Sequence, residues 1–401
     1  MTLTRRTAFS LITAALTTPA LGGMRRNDFV DQARTALAPG GLVEGLIDGL
    51  AQQGRFSGVV LAAVEGRPLL HKACGLSNRA TGAPNRLDSR FNIASAGKMF
   101  TTVAIGQLIE AGRVGLDDPV ARHIPDIRPD IGGRVTIRHL LTHSSGLGSY
   151  FASPLWNELR AGLATLDDFL ALSAGEPLQF TPGERYEYSN SGFVLLGAVI
   201  QRVTGRDFYD AVQARVFDPA GMTGTGYPVW DDVAADLAIP YTNGCFMRPP
   251  DQCTPGDWQD ARPMGGRRGS PAGGGVSTAG DLNHFVEALK GGRLLMPETL
   301  ALMTAEQGRM TRQGGPIDAY GLGFGRLRVH GHPTWGHNGG TVGAQAQVDV
   351  FETGPLTLIV LSNQDGGQRP ASSALRRAAP PPGWTPPPAG GAGPVMVRPG
   401  G

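Results

Sequence analysis

Residues 91–100 read FNIASAGKMF, and this stretch decides how the rest of the chain is interpreted. A short apolar run ends in small residues, and an apolar helix is predicted to follow. Ser95 and Lys98 are three residues apart, so at the start of a helix their side chains lie on one face. A serine hydroxyl becomes an effective nucleophile when a neighbouring base takes its proton, and a desolvated lysine can be that base. The stretch therefore predicts a nucleophile and its base at the start of a buried helix.

Lysine is scarce in this chain, which sharpens the prediction. Only Lys72, Lys98 and Lys290 are lysines among the 36 basic residues. An arginine guanidinium does not give up its proton to act as a base, whereas a buried lysine can. This favours a chemical role for Lys98. The alternative is a helix-capping serine followed by a solvated lysine, and the motif alone does not exclude it.

Length and composition limit the possible functions. The chain has 401 residues, which exceeds one typical domain and predicts two substructures. Its 41% apolar residues, 59 glycines and 31 prolines are typical of a loop-rich globular enzyme. The formal charge is only +2 and lysine and arginine form no stripe, so nucleic acid is not an expected partner.

Residues 1–23 have the pattern of an export signal. Arg5 and Arg6 precede an apolar run to about Leu16, and small residues that suit cleavage follow. The paired arginines are typical of a twin-arginine signal. The run is too short to cross a bilayer, which disfavours the alternative of a membrane anchor. We expect an exported protein, periplasmic or secreted, with no membrane span in its mature chain. Loss of two arginines would leave 34 basic against 34 acidic residues.

Export makes the three cysteines informative, because disulfides form in oxidising compartments. Cys245 and Cys253 flank a short proline-containing loop, and we expect them to pair. Closing so small a loop contributes roughly 2.5 kcal/mol in the chain-entropy estimate. Cys74 falls in a strand pattern and is expected to be a buried, inert thiol. The cysteines and histidines lack the spacing of a zinc site, so no metal is predicted.

The predicted secondary structure changes character along the chain. Residues 55–77 read as a β-hairpin that turns at Glu65 and Gly66, and a buried helix spans 97 to about 111. Helical and loop patterns then occupy 116–261, and strand patterns return between 321 and 363. Strands at both ends with helices between them predict one sheet built from both ends of the chain.

The fold class that follows is α/β (α+β), with an antiparallel sheet flanked by helices. We assign 24–115 and 262–379 to the sheet domain and 116–261 to an inserted, mainly helical domain. Residues 380–401 are rich in proline and glycine and are predicted to be a disordered tail.

Two further stretches carry polar groups suited to catalysis. Tyr188, Ser189 and Asn190 follow a turn and precede a helix, where a phenol could relay a proton and an amide could bind a substrate amide. The alternative for these residues is a simple helix cap. Residues 335–341 read WGHNGGT, in which a short strand ends in glycines that permit close backbone approach. The alternative there is a turn with a surface histidine, His337.

Two other patterns argue against competing chemistries. His139 and His143 are one helical turn apart but lack an adjacent glutamate and a third ligand, which favours structural histidines over a metal site. No Gly-x-Ser-x-Gly elbow occurs, which argues against an α/β-hydrolase.

Taken together, the three motifs resemble the serine beta-lactamase and penicillin-binding protein superfamily. Their order, Ser95-x-x-Lys98, Tyr188-Ser189-Asn190, then His337-Asn338-Gly339, is most similar to the branch of class C beta-lactamases, DD-carboxypeptidases, D-aminopeptidases and related esterases. The stretches TIRHLLTHSSGL at 136–147 and SPAGGGVSTAGDL at 270–282 are similar too. The resemblance covers about Leu46 to Asp365.

This resemblance implies an acyl-enzyme mechanism without a cofactor. Ser95 would be the nucleophile, and Lys98 with Tyr188 would transfer its proton. Backbone N–H groups of Ser95 and Gly340 would hold the oxyanion. Asn190, His337, Asn338 and Gly339 would bind the substrate, a small molecule or peptide such as a D-amino-acid peptide or a small ester. We expect a monomer. The alternatives are a true beta-lactamase and a non-catalytic peptidoglycan-binding or regulatory homologue.

Two departures from the family pattern affect this expectation. The third motif carries His337 where beta-lactamases usually have a lysine, and Asn338 where a hydroxyl residue is common. An unperturbed histidine is mostly neutral at about pH 7.5 and mostly charged at about pH 5.5. We therefore expect weak beta-lactam turnover at neutral pH and carboxylate binding that improves in acid. The C-terminal helix also looks short, because only 370–379 precedes a run of prolines.

Overall fold

The structure is a computed structural model, and it describes residues 26–380 except 174, 176, 231–235, 247, 249–251, 253, 255 and 310–318. The predicted export signal, residues 1–23, lies outside the described residues, as do residues 381–401 of the predicted tail. None of the described helices has the length and apolar character needed to cross a membrane.

The strands of the described chain form one large sheet and three small ones. The strands are β1 Gly58–Val64, β2 Arg67–Cys74, β3 Leu76–Asn78, β4 Ala83–Pro84, β5 Phe91–Asn92, β6 Tyr241–Thr242, β7 Gln259–Asp260, β8 Val276–Ser277, β9 Gly308–Arg309, β10 Ala319–Tyr320, β11 Gly325–Val329, β12 His332–Thr341, β13 Ala344–Phe351 and β14 Leu356–Ser362. The large sheet is antiparallel, with eight strands in the order β2-β1-β14-β13-β12-β11-β10-β9 among the described residues. The small sheets pair β3 with β4, β5 with β8 and β6 with β7.

Helices cover both faces of the large sheet and fill the chain between its two halves. The α-helices of the described residues are α1 Arg26–Ala36, α2 Leu42–Gln52, α3 Lys98–Glu110, α4 Pro129–Gly132, α5 Ile137–Leu141, α6 Trp156–Leu159, α7 Leu166–Ser173, α8 Asn190–Thr204, α9 Phe208–Val212, α10 Asp218–Ala220, α11 Ala279–Lys290, α12 Pro297–Thr304 and α13 Gln368–Leu375. The predicted fold class, a mixed α/β fold whose antiparallel sheet is flanked by helices, is confirmed.

The predicted hairpin at the start of the sheet is confirmed as β1 and β2. Its turn uses Glu65 with φ 54° and Gly66 with φ 75°, so a left-handed backbone connects the two strands. Strand β1 then pairs along its whole length with β14, from Gly58 opposite Ser362 to Val64 opposite Leu356. Strands from the first and last parts of the described chain are therefore neighbours in the sheet.

Strand β1 is buried along its whole length because each face of the sheet has its own core. Val59, Leu61 and Ala63 belong to the core that contains the apolar residues of α3, α8 and α11. The residues that alternate with them, Val60, Ala62 and Val64, belong to a second core, which is formed with α1, α2 and α13. This follows from the two-residue period of a strand. Helix α13 is short, as predicted, and ends in a 3-10 turn at Arg376–Ala378.

Strand β12 corrects one expectation. The sequence predicted a short strand that ends in the glycines of 335–341, whereas the strand spans His332–Thr341 and pairs with β13 up to Ala344. The turn is formed by the next glycine, Gly343, whose φ is 75°. The third motif is therefore part of a central strand, which gives His337 a buried position.

The cysteines agree with the expectations as far as the structure describes them. Cys74 is a free, buried thiol on β2. Cys245 is disulfide-bonded. Cys253 lies outside the described residues, so its predicted pairing with Cys245 stays a prediction.

Candidate active site

Ser95 lies in a 3-10 turn, Ala94–Gly97, that leads directly into α3. The residue before it, Ala94, has φ 45°, a left-handed conformation that costs a non-glycine residue about 1–2 kcal/mol. Two hydrogen bonds hold it there: its N–H donates to Asn92 Oδ1 at 2.8 Å, and its carbonyl accepts from the N–H of Gly274 at 3.1 Å. Strain maintained by surrounding contacts is typical of functional turns. The turn fixes the direction in which Ser95 points.

Lys98 is the first residue of α3 and its side chain is completely buried. Its Nζ lies 2.6 Å from the carbonyl oxygen of Ala272, 2.7 Å from Asn190 Oδ1 and 3.2 Å from Ser95 Oγ. None of these partners carries a negative charge. Burial, with no counter-ion among the described residues, disfavours the ammonium and lowers the pKa of Lys98 well below its ordinary value. The predicted pairing of Ser95 with Lys98 is present in the structure.

Tyr188 lies beside the pair, just before the capping residue of α8. Lys98 Nζ is 4.7 Å from the centre of the Tyr188 ring. Desolvation raises the pKa of the Tyr188 hydroxyl above its ordinary range, and a side-chain hydrogen bond with Ser95 opposes part of that rise. The phenol is therefore protonated at neutral pH. The next residue, Ser189, caps α8 by accepting from the N–H of Gly192 at 2.9 Å, so the helix-cap interpretation is also correct.

Asn190 connects the lysine to the loop at 148–149. Its Oδ1 accepts from Lys98, and its Nδ2 donates to Ser149 Oγ at 2.9 Å. The side chain is only partly buried and lines the cleft beside Ser95. Its carbonyl oxygen is therefore committed to Lys98, and the remaining N–H is the group that faces a substrate most readily.

The third motif lies on β12, close behind the Ser95 turn. A Cβ placed on Gly339 would lie 2.1 Å from the carbonyl oxygen of Ile93. Gly340, the next residue, is exposed and lines the cleft with Ser95. Asn338 is partly buried and lies opposite Gln347 of β13. Ser95 and Gly340 therefore share the cleft, whereas His337, Asn338 and Gly339 are outside its lining.

His337 differs from the sequence-based expectation in its charge. The side chain is 2% exposed, and its Nε2 lies 2.7 Å from the hydroxyl of Tyr320. Burial, followed by the nearby charge of Lys98, lowers the pKa of His337 to about 3. The expectation of a charged imidazole at mildly acid pH is therefore wrong, because the ring is shielded from solvent and no carboxylate of the described residues pairs with it. A neutral His337 would not attract a substrate carboxylate by charge, which was the reason for expecting better carboxylate binding in acid.

The cleft above Ser95 encloses about 700 Å³, including its open mouth. Aromatic rings dominate the wall formed by the helical part of the chain, and they are Tyr150, Phe151, Trp156, Phe169 and Trp230. Arg262 and Arg268 also line it. Arg262 is paired with Asp260 at 2.6 Å, and the Arg268 guanidinium lies 3.6 Å from the centre of the Tyr209 ring. The cleft therefore combines apolar walls with two guanidinium groups.

Metal-ligating side chains do not gather anywhere in the part of the chain that the structure describes. His139, one of the two histidines considered for a metal, instead takes part in the cap of α5 with Thr136. His143 lies behind Tyr188, with ring centres 4.2 Å apart.

The antiparallel sheet, the helical wall and the contact between Ser95 and the buried Lys98 are the fold and site of a hydrolase of the beta-lactamase type. The Beta-lactamase family model matches residues 43–380, and the chain belongs to this family.

Its relatives include esterases, penicillin-binding proteins and amidases. The chain is 31% identical to esterase EstB of Burkholderia gladioli over 321 residues, which cover 71% of this chain and 78% of that protein. Among solved structures, a penicillin-binding protein from Bacillus halodurans superposes with a TM-score of 0.73 at 31% identity, covering 82% of this chain and 98% of that one. A D-amino acid amidase from Ochrobactrum anthropi superposes with a TM-score of 0.71 at 25% identity, covering 84% and 96%.

Sequence reasoning did not assign several groups around the nucleophile. The carbonyl of Ala272 accepts from Lys98, and the hydroxyl of Tyr320 holds His337. His143 was taken as a structural histidine. Stretches 136–147 and 270–282 had been noted for their resemblance to the family, but a backbone carbonyl has no sequence signal, and a histidine's partners depend on the fold.

Proposed function

We propose that the protein is a serine hydrolase that forms an acyl-enzyme on Ser95 and hydrolyses small esters or D-amino-acid amides. The hydrogen bonds of Lys98 are the observation that carries this proposal. Two of its contacts, at 2.6 Å and 2.7 Å, go to oxygens that can only accept, so they use two N–H groups. A neutral amine has two such groups and one lone pair. The lone pair of neutral Lys98 is then left for the proton of Ser95 Oγ.

The proposed reaction begins when Lys98 Nζ takes the Ser95 proton as Oγ attacks the substrate carbonyl carbon. The tetrahedral intermediate places a negative oxygen near the N–H groups of Ser95 and Gly340. Loss of one oxyanion donor typically costs about 10²–10³-fold in rate. Tyr188, protonated at neutral pH, gives its proton to the leaving group and recovers one from Lys98. Water then cleaves the ester on Ser95, with the same groups accepting and returning its proton.

The cleft supports a preference among substrates. Aromatic walls favour an apolar or aromatic acyl group over a small polar one. His337 is uncharged and lies outside the cleft lining, so it supplies no cation to a penicillin carboxylate. The two guanidinium groups that do line the cleft are already engaged, Arg262 by Asp260 and Arg268 by the Tyr209 ring. Relatives named an esterase and a D-amino acid amidase support ester and amide substrates. We therefore place neutral aryl esters first and beta-lactams last.

Covalent labelling tests the proposal directly. A fluorophosphonate probe should add its mass to Ser95 in the full chain, and the adduct should be absent from Ser95→Ala. Hydrolysis of a p-nitrophenyl ester should disappear in the same variant. A folded wild-type protein that takes up no label would instead favour the non-catalytic, peptidoglycan-binding alternative.

A further inference from the structure

His143 contacts the backbone on both sides of the catalytic tyrosine. The N–H of Glu187, one residue before Tyr188, donates to the carbonyl oxygen of His143 at 2.8 Å. The N–H of Ser189, one residue after Tyr188, donates to His143 Nδ1 at 3.1 Å. A single residue thus accepts hydrogen bonds from both backbone N–H groups that flank Tyr188. Two fixed points so close together leave the tyrosine backbone little freedom to move.

The ring of His143 also packs against the ring of Tyr188. Its centre is 4.2 Å from that of Tyr188, 4.7 Å from Tyr320 and 5.2 Å from Phe193. The side chain is completely buried. Tyr188 therefore has His143 on one side and Lys98 near its face. A ring locked by its neighbours can set the position of the phenol it contacts.

The backbone of His143 is itself in an unfavourable conformation. Its φ is 54°, in the left-handed region that few non-glycine residues occupy. In this conformation one residue directs both its carbonyl oxygen and its ring toward the loop segment 187–189. Strained backbone that persists in a buried site is held there by its surroundings.

The hydrogen bond from Ser189 fixes the state of the imidazole. Because Nδ1 accepts that hydrogen bond, the single proton of the neutral ring is on Nε2. Nε2 is buried and has no hydrogen-bond partner among the described residues. Burial lowers the pKa of His143 well below its ordinary value, and a positive charge on the neighbouring Lys98 or His337 lowers it further. Protonation would remove the acceptor for Ser189 and add a cation beside Lys98.

We propose that His143 is a positioning residue for acyl transfer: as a neutral acceptor it fixes the backbone around Tyr188 and so sets the phenol relative to Ser95 and Lys98. The inference rests on the proposed function of those three residues. It assigns a role to a histidine that otherwise only fills the core. A core-filling role would need the ring alone, whereas the positioning role needs the acceptor at Nδ1.

Two substitutions separate these roles. His143→Phe keeps a ring and loses the acceptor. His143→Asn loses the ring, but its amide oxygen falls near the position of Nδ1, and asparagine tolerates a left-handed backbone. The matched control is His139→Asn, which removes a nearby histidine whose side chain hydrogen-bonds to Thr136 in the cap of α5.

The experiment measures kcat and KM for a p-nitrophenyl ester, the rate of fluorophosphonate labelling and the melting temperature of each full-length variant. His143→Phe should lower kcat by about 10²-fold, since a misplacement of about 1 Å costs that much, with KM nearly unchanged. The kcat of His143→Asn should be about tenfold higher than that of His143→Phe, even if its melting temperature is lower. His139→Asn should change the melting temperature and leave kcat unchanged.

A His143→Phe variant with wild-type kcat, or a folded His143→Asn variant no better than His143→Phe, would overturn the inference. If neither variant folds, nitrogen NMR of histidine-labelled wild-type protein decides: the inference requires His143 to carry its proton on Nε2, and a proton on Nδ1 contradicts it. Failure of the proposed function looks different, because the wild-type protein would then not be labelled at Ser95.

Discussion

Gly339 lies directly against the carbonyl of Ile93. A Cβ on Gly339 would be 2.1 Å from the Ile93 oxygen and 3.0 Å from the backbone nitrogen of Ala96, and no real Cβ tolerates the first of these distances. Both atoms belong to the segment that carries Ser95. Strand β12 therefore approaches the nucleophile this closely because position 339 has no side chain.

Gly339→Ala should displace the Ser95 turn, since the obstructing atoms are backbone and do not rotate away. We expect a loss of about 10²-fold in kcat/KM for an ester and a destabilisation of about 1–3 kcal/mol in denaturant unfolding. Gly45→Ala is the control: it lies on the exposed side of α2 with no heavy atom within 4 Å, and it should stabilise by about 0.5–1 kcal/mol. Unchanged ester hydrolysis in Gly339→Ala would contradict this account.

Lys98→Arg should abolish acylation because a guanidinium keeps its proton. The expected loss in kcat/KM is about 10²–10⁴-fold, the usual contribution of a general base. Lys98→Met should be similarly inactive, which separates the loss of proton acceptance from the poor fit of the larger arginine. Retained activity in either variant would assign the proton transfer to Tyr188 or to solvent.

The wild-type pH profile should reflect the lowered pKa of Lys98. Only the neutral amine accepts a proton, so kcat/KM should fall as pH decreases through that pKa. The inflection should lie well below about 10.4, the ordinary value for lysine. A profile that rises only above that value would mean that Lys98 is charged in the folded enzyme.

Carboxylate recognition should not improve in mild acid. Because the pKa of His337 is about 3, its ring stays neutral from about pH 7.5 to about pH 5.5. The ratio of kcat/KM for a carboxylate-bearing ester to that for a matched neutral ester should therefore be constant over this range. A ratio that rises in acid would show that His337 becomes charged in the substrate complex.

The same histidine should make folding sensitive to acid. Between about pH 6.5 and about pH 3 the unfolded chain binds a proton at position 337 that the folded chain does not, so stability decreases as pH falls. His337→Asn should lose less stability over this window than the wild-type protein. Replacing the exposed His284 by asparagine controls for removal of a histidine as such.

The cysteines give a prediction that concerns export. Peptide mass mapping of exported protein should find Cys245 joined to Cys253. Cys74 should react with an alkylating reagent only after unfolding, because burial shields the thiol and raises its pKa. Removing the disulfide should cost roughly 2.5 kcal/mol. Two reduced loop thiols in the exported protein would undercut the assignment of an export signal.

Local pattern was enough to predict the hairpin, helix α3 and the pairing of Ser95 with Lys98, because each depends on residues close together in the chain. The charge of His337 was mispredicted, because its pKa depends on burial beside Tyr320 and on Lys98, which is close in space but far away in the sequence. The extent of β12 was underestimated for a related reason. Its glycines look like a strand end in sequence, and only pairing with β13 shows that the strand continues.

The pairing of β1 with β14 has a consequence during synthesis. These partners are separated by about 300 residues, which a ribosome adds in roughly 15–60 s at typical speeds. Throughout that time the apolar β1 has β2 on one side and an open edge on the other, a surface that invites association with other nascent chains. Chains released before β14 is made would keep that edge, so truncated products should aggregate rather than accumulate as folded fragments.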